Sequence, residues 1–384
     1  MNDRRLAGRG AIALLLAGLM MFALARPAGA ATAAEEMAIR ARMEKGIAEV
    51  RKREFDQAIY DFSFALRLNP DARHTAELYG NRGGAYAGND DLERAMADAD
   101  GAVKVDPEYF GGYQVRGLVH YLKREFEAAL AEFKTALRLN PSYSQLYVNR
   151  GNVFRALGDQ VRARADFDRA ITLGPTNFYA FINRGNSYVE SGNVEAALAD
   201  FHRSIVINPH QGEAYCDRAM LYMDQGKFSE ALKDWNDYVR LNPTDMRGYA
   251  ARGFAYSKQG NYRDAVADLQ KAIELASANA ELLNALAWIR ATCPDAAFRS
   301  GETAMACARQ ACELGEWKHS EAVDALAAAC AEAGHFDEAV KYQKQALELK
   351  PRLENRAGMQ KRLALYESGK PYREEPAASP TPGR

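Results

Sequence analysis

From residue 39 to residue 279 the apolar positions of the chain recur in a block of 34 residues. Let Pro107, Pro141, Pro175, Pro209 and Pro243 mark position 32 of successive blocks. An aromatic side chain then falls at position 4 (Tyr79, Tyr113, Tyr147, Phe181, Tyr215, Tyr249). A small residue follows at position 8 (Gly83, Gly117, Gly151, Gly185, Ala219, Gly253). A second aromatic at position 11, alanine at position 20 and a bulky residue at position 24 (Phe62, Phe133, Phe167, Phe201, Trp235) complete the pattern. Positions 4, 8 and 11, and again 20, 24 and 27, keep a spacing near 3.6, so each block predicts two helices with one apolar stripe apiece. Small residues at positions 8 and 20 predict close approach of those helices, with the aromatics filling the space beside them. Gly158, Gly192, Gly226 and Gly260 fall where the first helix needs a left-handed cap, and the position-32 proline stops the second.

A helical pair cannot bury its apolar stripe alone, so a fixed period of this length predicts stacked pairs rather than one globular core. Seven regular units are expected over 39–279 and two divergent ones over 280–353. In the first divergent unit the pattern predicts helices near Ala280–Thr292 and Gly301–Leu314, separated by a longer Cys293-Pro294 loop. A helix over 354–369 is expected to cover the last apolar face. With segments such as YVNRGNVF (147–154) and FINRGNSY (181–188), the blocks resemble the tetratricopeptide repeat family. That resemblance implies an all-α solenoid, a right-handed superhelix of about nine helix–turn–helix repeats whose first helices line a concave, peptide-binding groove. It also implies that positions 2, 5, 6, 9, 12 and 13 face the groove.

Position 7, usually leucine in that family, is arginine in six successive units: Arg82, Arg116, Arg150, Arg184, Arg218 and Arg252. Sixteen residues later each has an acid: Asp98, Glu132, Asp166, Asp200, Asp234 and Asp268; Lys45 and Asp61 repeat the spacing in the first unit. One partner lies on each helix, which predicts an ion pair within every repeat. An electrostatic binding surface is the competing reading, but internal pairing uses both charges in every unit.

The groove positions carry a strip of carboxamides: Asn81, Asn149 and Asn183 at position 6, and Asn152 and Asn186 at position 9, with Tyr179 at position 2 of the same face. An amide both donates and accepts, so a row of them suits the backbone of an extended peptide whatever its side chains. The strip is similar to the asparagine ladder in the repeat region of the glycosyltransferase that attaches N-acetylglucosamine to proteins. Bracing of neighbouring helices is the alternative role. Position 5 (Gly80, Gln114, Val148, Ile182, Cys216, Ala250) holds no lysine, which argues against the two-carboxylate clamp known in the family.

Charge and the termini change the picture less. Arg4, Arg5 and Arg9, an apolar run from Ala11 to Ala25 and Ala28-Gly29-Ala30 form the pattern of an export signal over residues 1–30. A periplasmic or secreted protein is therefore expected, with an uncleaved inner-membrane anchor as the alternative. Residues 31–38 read as a linker, and 370–384, with four prolines, as a disordered tail. Loss of residues 1–30 takes four arginines and one aspartate, moving the formal charge from −1 to −4. Neither sign dominates, so no nucleic-acid partner is expected, nor membrane insertion after signal cleavage. Four of the five cysteines, Cys293, Cys307, Cys312 and Cys330, cluster in the divergent units. In an exported protein that predicts a disulfide, with Cys293 joined to Cys307 or Cys312. No C-x₂-C pair, metalloprotease, nucleophile-elbow or phosphate-loop motif occurs, so no metal, cofactor or catalytic residue is assigned. The reading is a non-catalytic scaffold or adaptor of the cell envelope that binds a protein or peptide in its groove. The alternative is a structural component that uses its ends or convex face.

Overall fold

The computed structural model describes residues 32–375, apart from positions 69 and 277. The expected export signal, residues 1–30, and the end of the tail, 376–384, lie outside the described residues. Nineteen α-helices and no strand occur among the residues described. Two compact units divide the chain at Pro209.

The first unit holds five antiparallel pairs: α1 (Ala33–Lys52) with α2 (Phe55–Leu66), α3 (Ala72–Gly88) with α4 (Leu92–Val105), α5 (Phe110–Leu122) with α6 (Phe126–Leu139), α7 (Ser144–Ala156) with α8 (Gln160–Leu173), and α9 (Phe178–Glu190) with α10 (Val194–Ile207). In the second, α11 (Gly212–Asp224) pairs with α12 (Phe228–Leu241), α13 (Met246–Lys258) with α14 (Tyr262–Leu275), α15 (Ala280–Thr292) with α16 (Gly301–Leu314), and α17 (Ser320–Glu332) with α18 (Phe336–Glu348). There α19 (Leu353–Glu367) packs on α18 and closes the stack. The protein is an all-α solenoid of helical hairpins, and both helices of the first divergent unit span the residues their periodicity predicts.

Packing within each hairpin follows from two positions. The position-24 phenylalanines Phe133, Phe167 and Phe201 are completely buried, each set against the position-8 glycine of its own repeat. A Cβ on Gly151 would stand 2.6 Å from the Phe167 ring, so any side chain there forces the ring or its helix to shift. Between repeats, a position-4 tyrosine ties three of the first helices to the turn before them. Tyr147 donates its hydroxyl hydrogen to the Pro141 carbonyl at 3.0 Å, and Tyr113 and Tyr249 donate to Pro107 and Pro243, each at 3.2 Å. Gly158 takes the left-handed cap with φ 81°, whereas Asp90 and Arg124 occupy the same position in their repeats with φ 64°.

At two places the structure departs from the sequence-based expectation. Residues 33–38, read as linker, are the opening turns of α1. Thr32 caps that helix, with its hydroxyl accepting from the Glu35 amide while the Glu35 carboxylate accepts from the Thr32 amide at 2.7 Å. The tail read as disordered from residue 370 instead packs on the second unit as far as Glu375. The contacts responsible join it to Trp288 and Thr292, more than eighty residues away in sequence, where no local pattern reveals them.

Candidate binding surface

Along the first helices the arginine ladder forms as spaced. Arg82 holds Asp98 through two bonds of 2.7 Å, and Arg150 holds Asp166 at 2.8 and 2.7 Å. Arg184–Asp200, Arg218–Asp234 and Arg252–Asp268 repeat the fork, and Arg116–Glu132 makes one bond of 2.7 Å. Lys45 bonds Asp61 at 2.8 Å. Position-4 and position-11 aromatics flank these guanidiniums, with the Arg150 carbon 5.6 Å from the Tyr147 ring and 5.8 Å from that of Phe154.

A third arm of the ladder has no counterpart in the repeat pattern. The remaining guanidinium nitrogen reaches position 25 of the preceding repeat: Arg82 to Ser63 at 3.1 Å, Arg184 to Asp168 at 2.6 Å and Arg252 to Asn236 at 3.0 Å, with Asp100 3.6 Å from Arg116. Arg82, Arg116, Arg184 and Arg252 therefore fix both their own hairpin and the seam to the one before. The carboxylate fork pushes the Arg150 and Arg184 guanidiniums further up, so both arginines stay charged at every accessible alkaline pH.

The carboxamides lie deeper than a solvent-lined strip. Asn81 on α3, Asn149 and Asn152 on α7 and Asn183 on α9 are all buried, as is Tyr179, and Asn186 is half-buried. Asn81 donates its amide to the Glu77 carbonyl and Asn183 donates to that of Tyr179, both at 2.9 Å, so these two brace their own helices. Asn149 accepts from Gln145 Nε2 at 3.0 Å. Gln145 in turn accepts from Asn177 at 3.3 Å. Yet Asn149 Nδ2 and Asn152 Oδ1 find no partner among the described residues, nor does Gln114 Oε1 on α5. The first helices α5 and α7, which carry these atoms, touch each other, and α7 touches α9. Gln114 and Gln145 escape a search for asparagine alone; the signal that finds them is any amide at positions 2, 5, 6 and 9.

All five cysteines are free thiols, contrary to the disulfide expected among Cys293, Cys307, Cys312 and Cys330. Cys312 and Cys330 sit inside the apolar core of the last hairpins, and Cys293 belongs to the core around α14 and α15. Each fills space as a small apolar side chain. Burial pushes the Cys312 thiol up to about 11 and that of Cys330 up to about 12.

Family models described as tetratricopeptide repeat match residues 43–109, 115–178, 185–252, 246–279 and 320–353, together well over half the chain. Among curated proteins, the Hsp70-Hsp90 organizing protein of Triticum aestivum is 30% identical over 84 residues, 22% of this chain and 14% of its own length. The small glutamine-rich tetratricopeptide repeat-containing protein 2 of Saccharomyces cerevisiae is 29% identical over 77 residues, 20% of this chain and 21% of its own. The chain thus spans only a small part of these relatives. A thermophilic TPR protein of Thermus thermophilus has a TM-score of 0.45 at 23% identity, covering 48% of this chain and 99% of that one.

Proposed function

Since this chain belongs to the tetratricopeptide repeat family, we propose that it is a non-catalytic scaffold that holds another protein by an extended peptide segment laid along the first-helix face of the first unit. The observation that carries this reading is the pair of unpartnered amide atoms on α7, Nδ2 of Asn149 and Oδ1 of Asn152. A buried donor or acceptor without a partner costs about 1–3 kcal/mol. Two on adjacent turns of one helix call for an explanation, and the C=O and N–H of a passing backbone supply the missing acceptor and donor respectively. Asn183, Asn186 and Tyr179 on α9 continue the face, and Asn81 on α3 lies on a first helix that touches α5. Supporting the protein-partner reading, one relative is named for organizing Hsp70 and Hsp90. The partner here is of another class, because position 5 carries no lysine. We also read residues 1–30 as an export signal, so the partner is met in the periplasm or outside the cell.

Peptides selected by display against residues 31–384 test the groove. Two lost hydrogen bonds of about 1 kcal/mol each weaken binding roughly thirtyfold in Asn149→Ala/Asn152→Ala. Unchanged affinity in a folded double variant ends the groove reading. Mass measurement of the mature N-terminus from fractionated cells tests the export reading separately.

A further inference from the structure

A second surface lies wholly within the second unit and rests on different observations from the amide strip. Gly369, at φ 70°, ends α19, and the Lys370 amide closes back on the Leu365 carbonyl at 3.0 Å, which turns the chain around. Residues 371–375 then cross α15 and α17 with no helix or strand structure of their own. The Tyr372 ring lies 6.1 Å from that of Trp288. Arg373 pairs with Glu332 of α17, and its other nitrogen reaches the Ala291 carbonyl at 3.5 Å. Glu374 accepts from the Trp288 indole N–H at 2.6 Å, and its backbone amide donates to the Thr292 carbonyl at 2.9 Å. Trp288, Ala291, Thr292 and Glu332 occupy positions 9, 12, 13 and 13 of their first helices, all on the groove-facing set.

The aromatic subsite is held from behind. Asp324 grips Arg362 of α19 with bonds of 3.0 and 2.7 Å, and the Arg362 guanidinium lies 5.1 Å from the Trp288 ring and 5.4 Å from that of Tyr372. Past Glu374 the surface opens into a cavity of about 410 Å³ walled by Phe254, Tyr262, Asn284, Trp288 and Glu375. There Asn284 Oδ1 is buried with no partner among the described residues. The recognition face is therefore longer than the segment seen to fill it. Pro371 to Glu374 are only half-buried and Glu375 is exposed, as befits a lightly held strap rather than a core element.

We propose that the face of α15 and α17 is a binding site for peptide segments of the pattern aromatic–arginine–acid, and that the chain's own Tyr372-Arg373-Glu374 is its resident, releasable occupant. A competing protein must carry that pattern to enter. The tethered segment sets the threshold, since a short tether holds its ligand at an effective concentration of about millimolar.

The test uses a fluorescein-labelled peptide of sequence GKPYREEP, matching residues 369–376. Titrated onto a chain ended at Lys370, it is expected to bind saturably; on the full chain it binds at least about tenfold more weakly, because the tethered copy competes. Peptides with alanine in place of the tyrosine, or glutamine in place of the first glutamate, lose most of the binding. A truncated chain with intact helical circular dichroism and no binding overturns the proposal, as does equal affinity for both chains. Should truncation unfold the second unit, hydrogen exchange on the intact chain decides. The Glu374 amide is expected to exchange at least about a hundredfold faster than the amides of α17; equal rates mean a permanent strap and refute release. A concentration-dependent dimer abolished by the truncation assigns the segment to a second copy and overturns occupancy in cis.

Discussion

Replacing Arg150 by alanine tests whether the ladder holds the repeats together or recognises a partner. The guanidinium gives Asp166 two bonds, of 2.8 and 2.7 Å, and Asp166 is only 6% exposed. Removing one partner of a fully buried pair costs about 3–5 kcal/mol, because a carboxylate is left without its counter-charge. Here the Arg150 side chain is 27% exposed, so water reaches the carboxylate once the arginine is gone. That discount brings the loss to about 2–3 kcal/mol. Separation from Tyr147 and Phe154 adds about 0.5–1 kcal/mol. Urea unfolding of the wild type, Arg150→Ala, Asp166→Ala and the double variant isolates the pair. The double variant is expected to lose little more than either single one, giving a coupling energy above about 1.5 kcal/mol. Because repeats unfold semi-independently, the values hold only where fluorescence and circular dichroism give the same transition. A coupling below about 0.5 kcal/mol refutes the structural role. So does loss of peptide affinity with an unchanged urea midpoint, which would move the ladder to the binding surface.

Gly151→Ala drives a methyl into the Phe167 ring and should lower stability by about 1–3 kcal/mol; an unaltered melting temperature would show that the hairpin opens freely. Arg124→Gly relieves a left-handed residue at φ 64° and should raise stability by about 0.5–1 kcal/mol, measured by urea midpoint, with no gain if strain there is negligible. Cys312 and Cys330, with thiols pushed up to about 11 and about 12, should resist iodoacetamide at pH 8 in the native chain and react once urea is added. A disulfide-linked pair of peptides in a non-reduced digest would instead restore the cross-link expected from cysteine clustering.

What could be read from the chain was whatever recurs. The hairpins, the Gly151–Phe167 contact and the Arg150–Asp166 fork each rest on two positions that keep their chemistry from block to block, so spacing alone locates them. The third arm of the ladder stayed hidden because position 25 varies among Ser63, Asp100, Asp168 and Asn236, which share only the ability to accept a hydrogen bond. Burial of the amides likewise leaves no mark in the sequence. Asparagine is polar in every context, and tertiary packing decides whether Asn152, here buried, meets solvent or protein. The strap at 371–375 occurs once, so no period could announce it. Cysteine clustering misled for a related reason: proximity in sequence says nothing about which core each thiol fills.

The ladder also constrains what kind of recognition each surface can perform. In the first unit Arg82, Arg150 and Arg184 are committed to carboxylates within their own repeats, and to polar groups of the preceding one where the third arm forms. Those arginines are consequently paired within the protein, and the unpartnered atoms of the amide strip, on Asn149, Asn152 and Gln114, are neutral. The ladder stops after Asp268, with Leu286 and Leu326 at position 7, and the second unit places Glu332 and Arg362 against a peptide segment instead. The two surfaces should differ in salt dependence. Raising ionic strength from about 0.05 to 0.5 M shortens the screening length from roughly 14 to 4 Å. Peptides held by the amide strip should bind almost as tightly across that range, while the GKPYREEP peptide on the truncated chain should weaken several-fold as its arginine and glutamates are screened. Equal salt sensitivity at the two sites would mean that exposed charges, not the amides, carry binding on the first unit, and the separation of a structural ladder from a neutral recognition face would fall.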